Sequence, residues 1–295
     1  MAVAFSPLFI FDDGDDMAHR VQGLQQFLPR FLLAAAVLAL AACESVQTTQ
    51  SGAVGVTRQQ SMMLSEQEID AAAVKEYAQV LDEQRKKGAL NQSPAQVRRV
   101  RAIVDRLIPQ TAVFRPDATR WKWEVNVVTS PEANAWCMPG GKIAVYTGLI
   151  EKLKITDDEL AAVMGHEIAH ALREHARERA SEQAVTGSLI SIGSSILGIG
   201  ELGQQGAQYA YMGLIGLPNS RTHETEADRI GVELAARAGY DPRAAISLWQ
   251  KMAQIGGSEP MKFMSTHPSR EDRISDLTVY SQRVMPLYEQ SKKTR

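Results

Sequence analysis

The sequence predicts a predominantly helical α+β fold with a small β-sheet. Three observations carry that prediction. Two short β-prone runs lie mid-chain, apolar residues recur at helical spacing on both sides of them, and capping residues stand where those helices begin. The 295 residues suffice for one large domain or two small ones with a true core. A net charge of −2 gives no support for a nucleic-acid partner, and the short basic stretches are mixed with acids, as on solvated helix faces. No internal repeat is visible, so no tandem helix-pair interaction module is expected.

Residues 1–42 read as a lipoprotein signal peptide. Arg30 precedes an apolar run from Phe31 to about Ala42 that is too short to span a bilayer, and small residues stand before Cys43. "LAAC", Leu40 to Cys43, resembles a bacterial lipobox, and by that resemblance Cys43 is the lipidated first residue of the mature chain. Glu44 is not the Asp of the usual inner-membrane retention signal, which favours the outer membrane. The first sixteen residues lack the basic character of a signal-peptide start, whereas the stretch from Met17 has it, so Met17 is the expected start of translation. With Cys43 acylated, Cys137 has no disulfide partner and is expected to be a small, partly buried apolar residue.

Residues 43–64, rich in Gln, Thr, Ser and Gly, read as a lipidated flexible tether, and residues 65–290 as the folded domain. Helical spacing begins at 65–87, where Ser65 and Glu68 form a capping box and Ile69, Ala73, Tyr77 and Leu81 share a face. A second helix, Pro94 to Leu107, is capped by Ser93 and carries Val97, Val100, Val104 and Leu107 on one stripe. The strands follow: "WKWEVNV" (121–127) alternates apolar and polar residues, and "KIAVYTG" (142–148) is β-prone. Thr156 and Glu159 then make a second capping box, with Asp157 and Asp158 well placed against the helix dipole. The helix they start is apolar nearly all round to Leu172 and is expected to be buried. Its continuation, "REHARERASE", is expected to emerge into water. Residues 184–216, Gly-rich with Glu201 the sole charge, are expected to form a mobile flap near the site. Further helices are expected over 217–238, from Asp241-Pro242 to about Gly256, and over about 270–288.

The buried helix carries the chemistry. In "AVMGHEIAHALREHARE" (161–177), His166 and His170 are four apart and so share a helix face, and Glu167 lies beside it. HExxH at this spacing suits zinc: two neutral imidazoles hold the ion, and the glutamate can act as general base. Charged groups in so apolar a helix are costly unless something satisfies them, which a metal does. One zinc per chain is therefore expected. A catalytic zinc needs a third protein ligand, and Arg173 and Ala176 stand where the extended HExxHxxGxxH pattern needs Gly and His. The best remaining source is "SRTHETEADRIG" (220–231). Glu224 and Asp228 share a face, with the small residues Ala227 and Gly231 beside them. Glu224 is the candidate ligand, Asp228 a candidate partner for a ligand imidazole, and Glu226 a weaker candidate. A solvated acidic face is the competing reading of this stretch. Arg221 is a candidate for substrate contact or oxyanion stabilisation, with a structural ion pair equally open.

"HEIAH", the downstream "ETEAD" and the preceding "NAWCMPGGKIAVYTGL" resemble the gluzincin metallopeptidases of the CAAX prenyl endopeptidase family (HtpX, BepA and LoiP types), over about residues 65–285. The chain is most similar to the stand-alone lipoprotein (LoiP) type. The resemblance implies a zincin-like metallopeptidase domain whose small sheet borders the cleft with an edge strand. It implies zinc on His166, His170 and Glu224, Glu167 as catalytic base, Asp228 in support, and Asn134 and Ala135 close to the zinc. His267, in "STHPS", resembles a loop histidine that holds such enzymes latent by taking the open zinc position. The expected function is a zinc metalloendopeptidase, lipid-anchored to the outer membrane from the periplasm, that hydrolyses misfolded or stalled envelope proteins in quality control. The rival reading is a latent or non-catalytic zinc-holding chaperone or assembly factor for outer-membrane proteins. The intact Glu167 argues against it.

Overall fold

A computed structural model of the chain describes residues 44–196, 219–255, 261–268 and 271–293. Their order is β1 (Glu44–Val46), β2 (Gln60–Met62), α1 (Glu66–Lys86), α2 (Pro94–Leu107), two 3-10 turns (Ile108–Val113 and Pro116–Arg120), β3 (Glu124–Val128), β4 (Ala135–Met138), β5 (Lys142–Tyr146), α3 (Thr147–Leu153), α4 (Asp157–Leu172), α5 (His175–Ile196), α6 (Arg221–Arg237), α7 (Ala244–Ile255), α8 (Lys262–Thr266) and α9 (Arg273–Lys293). This is the predominantly helical α+β architecture the sequence predicts. Among the described residues, no helix is long and apolar enough to cross a membrane.

Local chemistry sets the helix starts. Ser65 and Glu68 close a capping box on α1, Ser93 caps α2 ahead of Pro94, and Thr156 and Glu159 close a second box on α4. β3 pairs parallel with β5 and β4 antiparallel with it, giving the order β3-β5-β4. Central β5 is buried along Ile143, Ala144 and Val145, which suits a strand covered on both faces. β4, like β3 on the other side, is an edge strand. It lies inside the stretch that reads as turn-rich at both ends, where four residues are too few to show a period.

Helix α4 is the axis of the core. Leu160, Met164, Ile168 and Leu172, at i, i+4 spacing, are fully buried, and each side chain gives about 1.5–3 kcal/mol by leaving water. α6 crosses α4 where Gly165 faces Gly231. A Cβ on Gly231 would meet the His166 amide nitrogen at 2.8 Å, and one on Gly165 would meet the Gly231 carbonyl oxygen at 2.7 Å. Two glycines thus let two backbones touch, and the residues one turn away on each helix converge.

Two expectations are corrected. First, residues 45–64 are not a free tether. Ser45–Arg295 form one compact unit. Thr49, Val54, Val56, Gln60 and Met62 are buried, and Gly52 sits against Phe114 and Glu233. The composition misleads because the anchoring residues are few and pair with partners from about sixty to nearly two hundred positions away. Second, "REHARERASE" does not run out into water. α4 stops at Leu172, Glu174 takes a left-handed turn at φ 51°, and α5 starts in a new direction at His175. Arg173, Glu174, His175 and Glu178 are buried, because each finds a charged or polar partner. Arg221 is exposed at the first residue of α6, capped by Ser220, and among the described residues the arginine lining the candidate cleft is Arg179. The signal peptide, Met17 and Cys43 lie outside the described residues; of the expected flap over 184–216, residues 184–196 continue helix α5 and 197–216 lie outside the described residues.

Candidate metal centre and active site

α4 presents His166 and His170 on one face, and the glycine crossing brings Glu224 of α6 against them. The ring atoms His166 Nε2 and His170 Nε2 are 3.0 Å apart. Glu224 Oε2 lies 3.5 Å from the first, and Oε1 lies 3.3 Å from the second. Three donors held 2.0–2.1 Å from one ion at tetrahedral angles would be roughly 3.3 Å apart. The residues therefore fit a zinc ion. Two imidazole lone pairs and a carboxylate that converge in a dry site repel one another unless a cation or protons lie between them. Glu224 Oε2 and Glu167 Oε1 are buried oxygens without a hydrogen bond, which also suits a ligand carboxylate and a base held ready.

Asp228 sits one helical turn beyond Glu224, and its Oδ1 accepts from His166 Nδ1 at 3.0 Å. That contact leaves the Nε2 lone pair facing the other donors. Arg273, fully buried on α9, donates to Asp228 Oδ1 at 2.7 Å and lies 3.0 Å from Glu224 Oε2 as an ion pair, its guanidinium stacked 3.3 Å over Trp249. Its single positive charge is shared between two buried carboxylates. Nothing in the local pattern of "STHPSREDRIS" marks Arg273, since the carboxylates it pairs with, Asp228 and Glu224, are 45 or more positions away.

Electrostatics follow from burial and these neighbours. Burial pushes the Glu167 carboxyl above its ordinary value, although His267 and His166 act against it. Burial also holds His170 well below the ordinary imidazole value. For His166 burial acts the same way, but the Glu224 and Asp228 carboxylates outweigh it and raise the metal-free ring to about 9. Glu224 stays well below the usual carboxylate range despite burial, because His267 and His166 face it.

His267 caps the donor set from the end of α8. Its Nδ1 is 3.2 Å from His166 Nε2 and 3.0 Å from Glu224 Oε1, and its Nε2 is 3.4 Å from Glu167 Oε1. Its ring stacks on Phe263, whose amide donates to the Ala133 carbonyl at 3.1 Å. β4 forms the facing wall. Asn134, Ala135 and half-buried Cys137 line a cleft with Glu167, His170 and His267. The Asn134 side chain is turned to Glu132 Oε1 and to the Ala135 amide.

Behind His170 is a second buried cluster of His175, Glu178, His223 and Glu226. His175 and Glu226 are close to the site; the sequence offers Glu226 only as a weaker candidate and gives His175 no role. His175 is one step off the extended zinc motif, and Glu226 points away from the face shared by Glu224 and Asp228.

The model of peptidase family M48 matches residues 94–281. The chain belongs to this family. It is 33% identical over 178 residues to the mitochondrial metalloendopeptidase OMA1 of Saccharomyces cerevisiae, an alignment covering 58% of this chain and 50% of that protein. It is 36% identical over 207 residues to the mitochondrial metalloendopeptidase OMA1 of Bos taurus, covering 66% and 39%. Identity to the β-barrel assembly-enhancing protease of Escherichia coli is 27% over 175 residues, covering 56% and 36%. The chain spans half or less of the length of these relatives. The M48 match runs from α2 into the first half of α9 and includes every candidate ligand. It leaves out residues 45–93, including the N-terminal strap, 45–64.

Proposed function

We propose that this M48 member is a zinc metalloendopeptidase, with His166, His170 and Glu224 as the ligands. The observation that carries this reading is the convergence of the three donors at 3.0–3.5 Å beside a buried carboxylate oxygen of Glu167 that accepts no hydrogen bond among the described residues. Zinc, when bound, supplies a Lewis acid that acidifies water and polarises a carbonyl. Glu167 takes the proton from the attacking water and passes it to the leaving amine, and burial tunes its carboxyl toward that task. Asp228 holds the His166 tautomer. An extended substrate adds to the free edge of β4 by main-chain hydrogen bonds, which brings its scissile bond past Asn134 and Ala135. His267 covers the donor set in a latent state and must leave for substrate to enter. Arg179, along the same wall, is better placed than Arg221 to meet a developing oxyanion.

Cellular context is part of the same proposal. Cys43 is lipidated, and the protein acts from the periplasmic face of the outer membrane on misfolded or stalled envelope proteins, as the stand-alone lipoprotein type does. The lipobox-like "LAAC" supports this, and so does similarity to the β-barrel assembly-enhancing protease.

The test is Glu167→Gln beside wild type and His267→Ala. Wild type is expected to carry about one zinc per chain and to cleave casein. Glu167→Gln should keep the zinc and lose cleavage, and His267→Ala should cleave faster. Well-folded wild type without zinc, or Glu167→Gln with undiminished cleavage, would overturn the endopeptidase reading.

A further inference from the structure

The two ligand histidines are held from behind in different ways. His166 Nδ1 meets the Asp228 carboxylate directly. His170 Nδ1 meets no carboxylate; the atom facing it is His175 Nδ1, at 2.8 Å. Two ring nitrogens at that distance need one hydrogen between them, one donating and one accepting. His170 Nε2 is the atom that converges with His166 and Glu224, so its lone pair belongs there. The His170 hydrogen therefore sits on Nδ1 and is donated to His175. A neutral ring that accepts at Nδ1 carries its own hydrogen on Nε2, and His175 Nε2 lies 3.0 Å from Glu226 Oε2. The geometry leaves each hydrogen one place.

The far end of this line is fixed. Glu226 accepts from Arg173 Nε at 3.1 Å and from Arg58 Nε at 2.7 Å and Nη2 at 3.1 Å. His175 is fully buried and stacked on His223 with ring centroids 4.3 Å apart, so its ring has no room to turn.

We propose that His175 and Glu226 form a positioning relay that sets the tautomer and ring orientation of His170 as a zinc ligand. It does through two links what Asp228 does for His166 through one. The inference rests on the zinc reading above. Carboxylates behind ligand imidazoles orient the ring and raise its basicity, and a neutral imidazole between them passes that polarisation on. Arg58 lies outside the residues matched by the family, so the N-terminal strap supplies part of the anchorage of this relay.

The full chain in detergent allows a test independent of catalysis. Zinc affinity is measured by competition with a chromophoric chelator, and imidazole tautomers by nitrogen-15 NMR of the zinc-loaded protein. His175 is expected as the Nε2–H tautomer and His170 as Nδ1–H. Glu226→Gln and His175→Phe should each weaken zinc binding by about 10–100-fold. Glu178→Gln is the control. It disturbs the same buried cluster but reaches the relay only indirectly, through Arg58 and the His223 ring stacked on His175, and it should lose clearly less zinc affinity than Glu226→Gln. If His175→Phe does not fold, Glu226→Gln and the tautomers decide. A His175 Nδ1–H tautomer, unchanged affinity in Glu226→Gln, or an equal loss in Glu178→Gln would overturn the relay alone. A wild type that takes up no zinc would overturn the zinc reading with it.

Discussion

Gly231→Ala tests the claim that a helix crossing builds the metal site. The added Cβ would lie 2.8 Å from the His166 amide nitrogen and 3.0 Å from the Gly165 carbonyl carbon and His166 Cα. All three are backbone atoms of α4, so no side chain can swing aside. Reaching an ordinary separation of about 3.4 Å requires α6 to retreat by roughly 0.6 Å. Overpacking of this kind costs about 1–3 kcal/mol. For a domain of this size that is a fall in Tm on the order of 3–10 °C. The same retreat moves Glu224 away from His166 and His170, from separations of 3.3–3.5 Å to near 4 Å, too wide for one small ion. Zinc affinity should therefore fall more steeply than stability. The assays are thermal melting of the metal-free protein and chelator competition on the loaded one. Wild-type zinc affinity in Gly231→Ala, with or without a lower Tm, would refute the view that this contact sets the ligand spacing.

Other perturbations give separate expectations. The metal-free His166 ring, raised to about 9, is protonated at neutral pH, whereas a zinc-bound imidazole must lose that proton. Zinc binding at pH 7 should release about one proton, seen as a buffer-dependent heat in calorimetry, and affinity should climb with pH until about 9. Arg273→Ala leaves Glu224 and Asp228 as buried carboxylates without their shared cation, and the metal-free protein should lose about 3–5 kcal/mol in denaturant unfolding. Truncation to Ser65 removes buried Val54, Val56 and Met62 together with Arg58, and should lower Tm by more than 10 °C. An unchanged Tm would restore the tether reading of residues 45–64.

Local signals were legible and distant ones were not. The helix starts at Ser65, Ser93 and Thr156 follow from capping boxes and a Pro–Ser pair, whose whole chemistry lies within four residues. The HExxH face of α4 and the Glu224/Asp228 face of α6 also follow from one helical period. The close approach of those helices shows in Gly231, since a small residue beside two acids has a packing meaning. What escaped depends on partners far apart in sequence. Arg58 reads as a solvated charge until Glu178 and Glu226 are seen against it, 120 and 168 positions away. "REHARERASE" reads as surface for the same reason, because its charges are buried by pairing and hydrophobic periodicity cannot register a pair. β4, four residues between turns, is too short for any period and is defined by β5 beside it.

The docked N-terminal strap bears on reach. A free chain of about twenty residues would let a lipid-held enzyme wander some 25 Å from its anchor point, sweeping a volume of periplasm. If Cys43 carries the lipid, only Glu44 separates it from the folded unit that begins at Ser45, a span of about 7 Å when extended. Such an enzyme has no leash. Its search is lateral, at the speed of its lipid, and its reach above the bilayer is set by the dimensions of the folded unit alone.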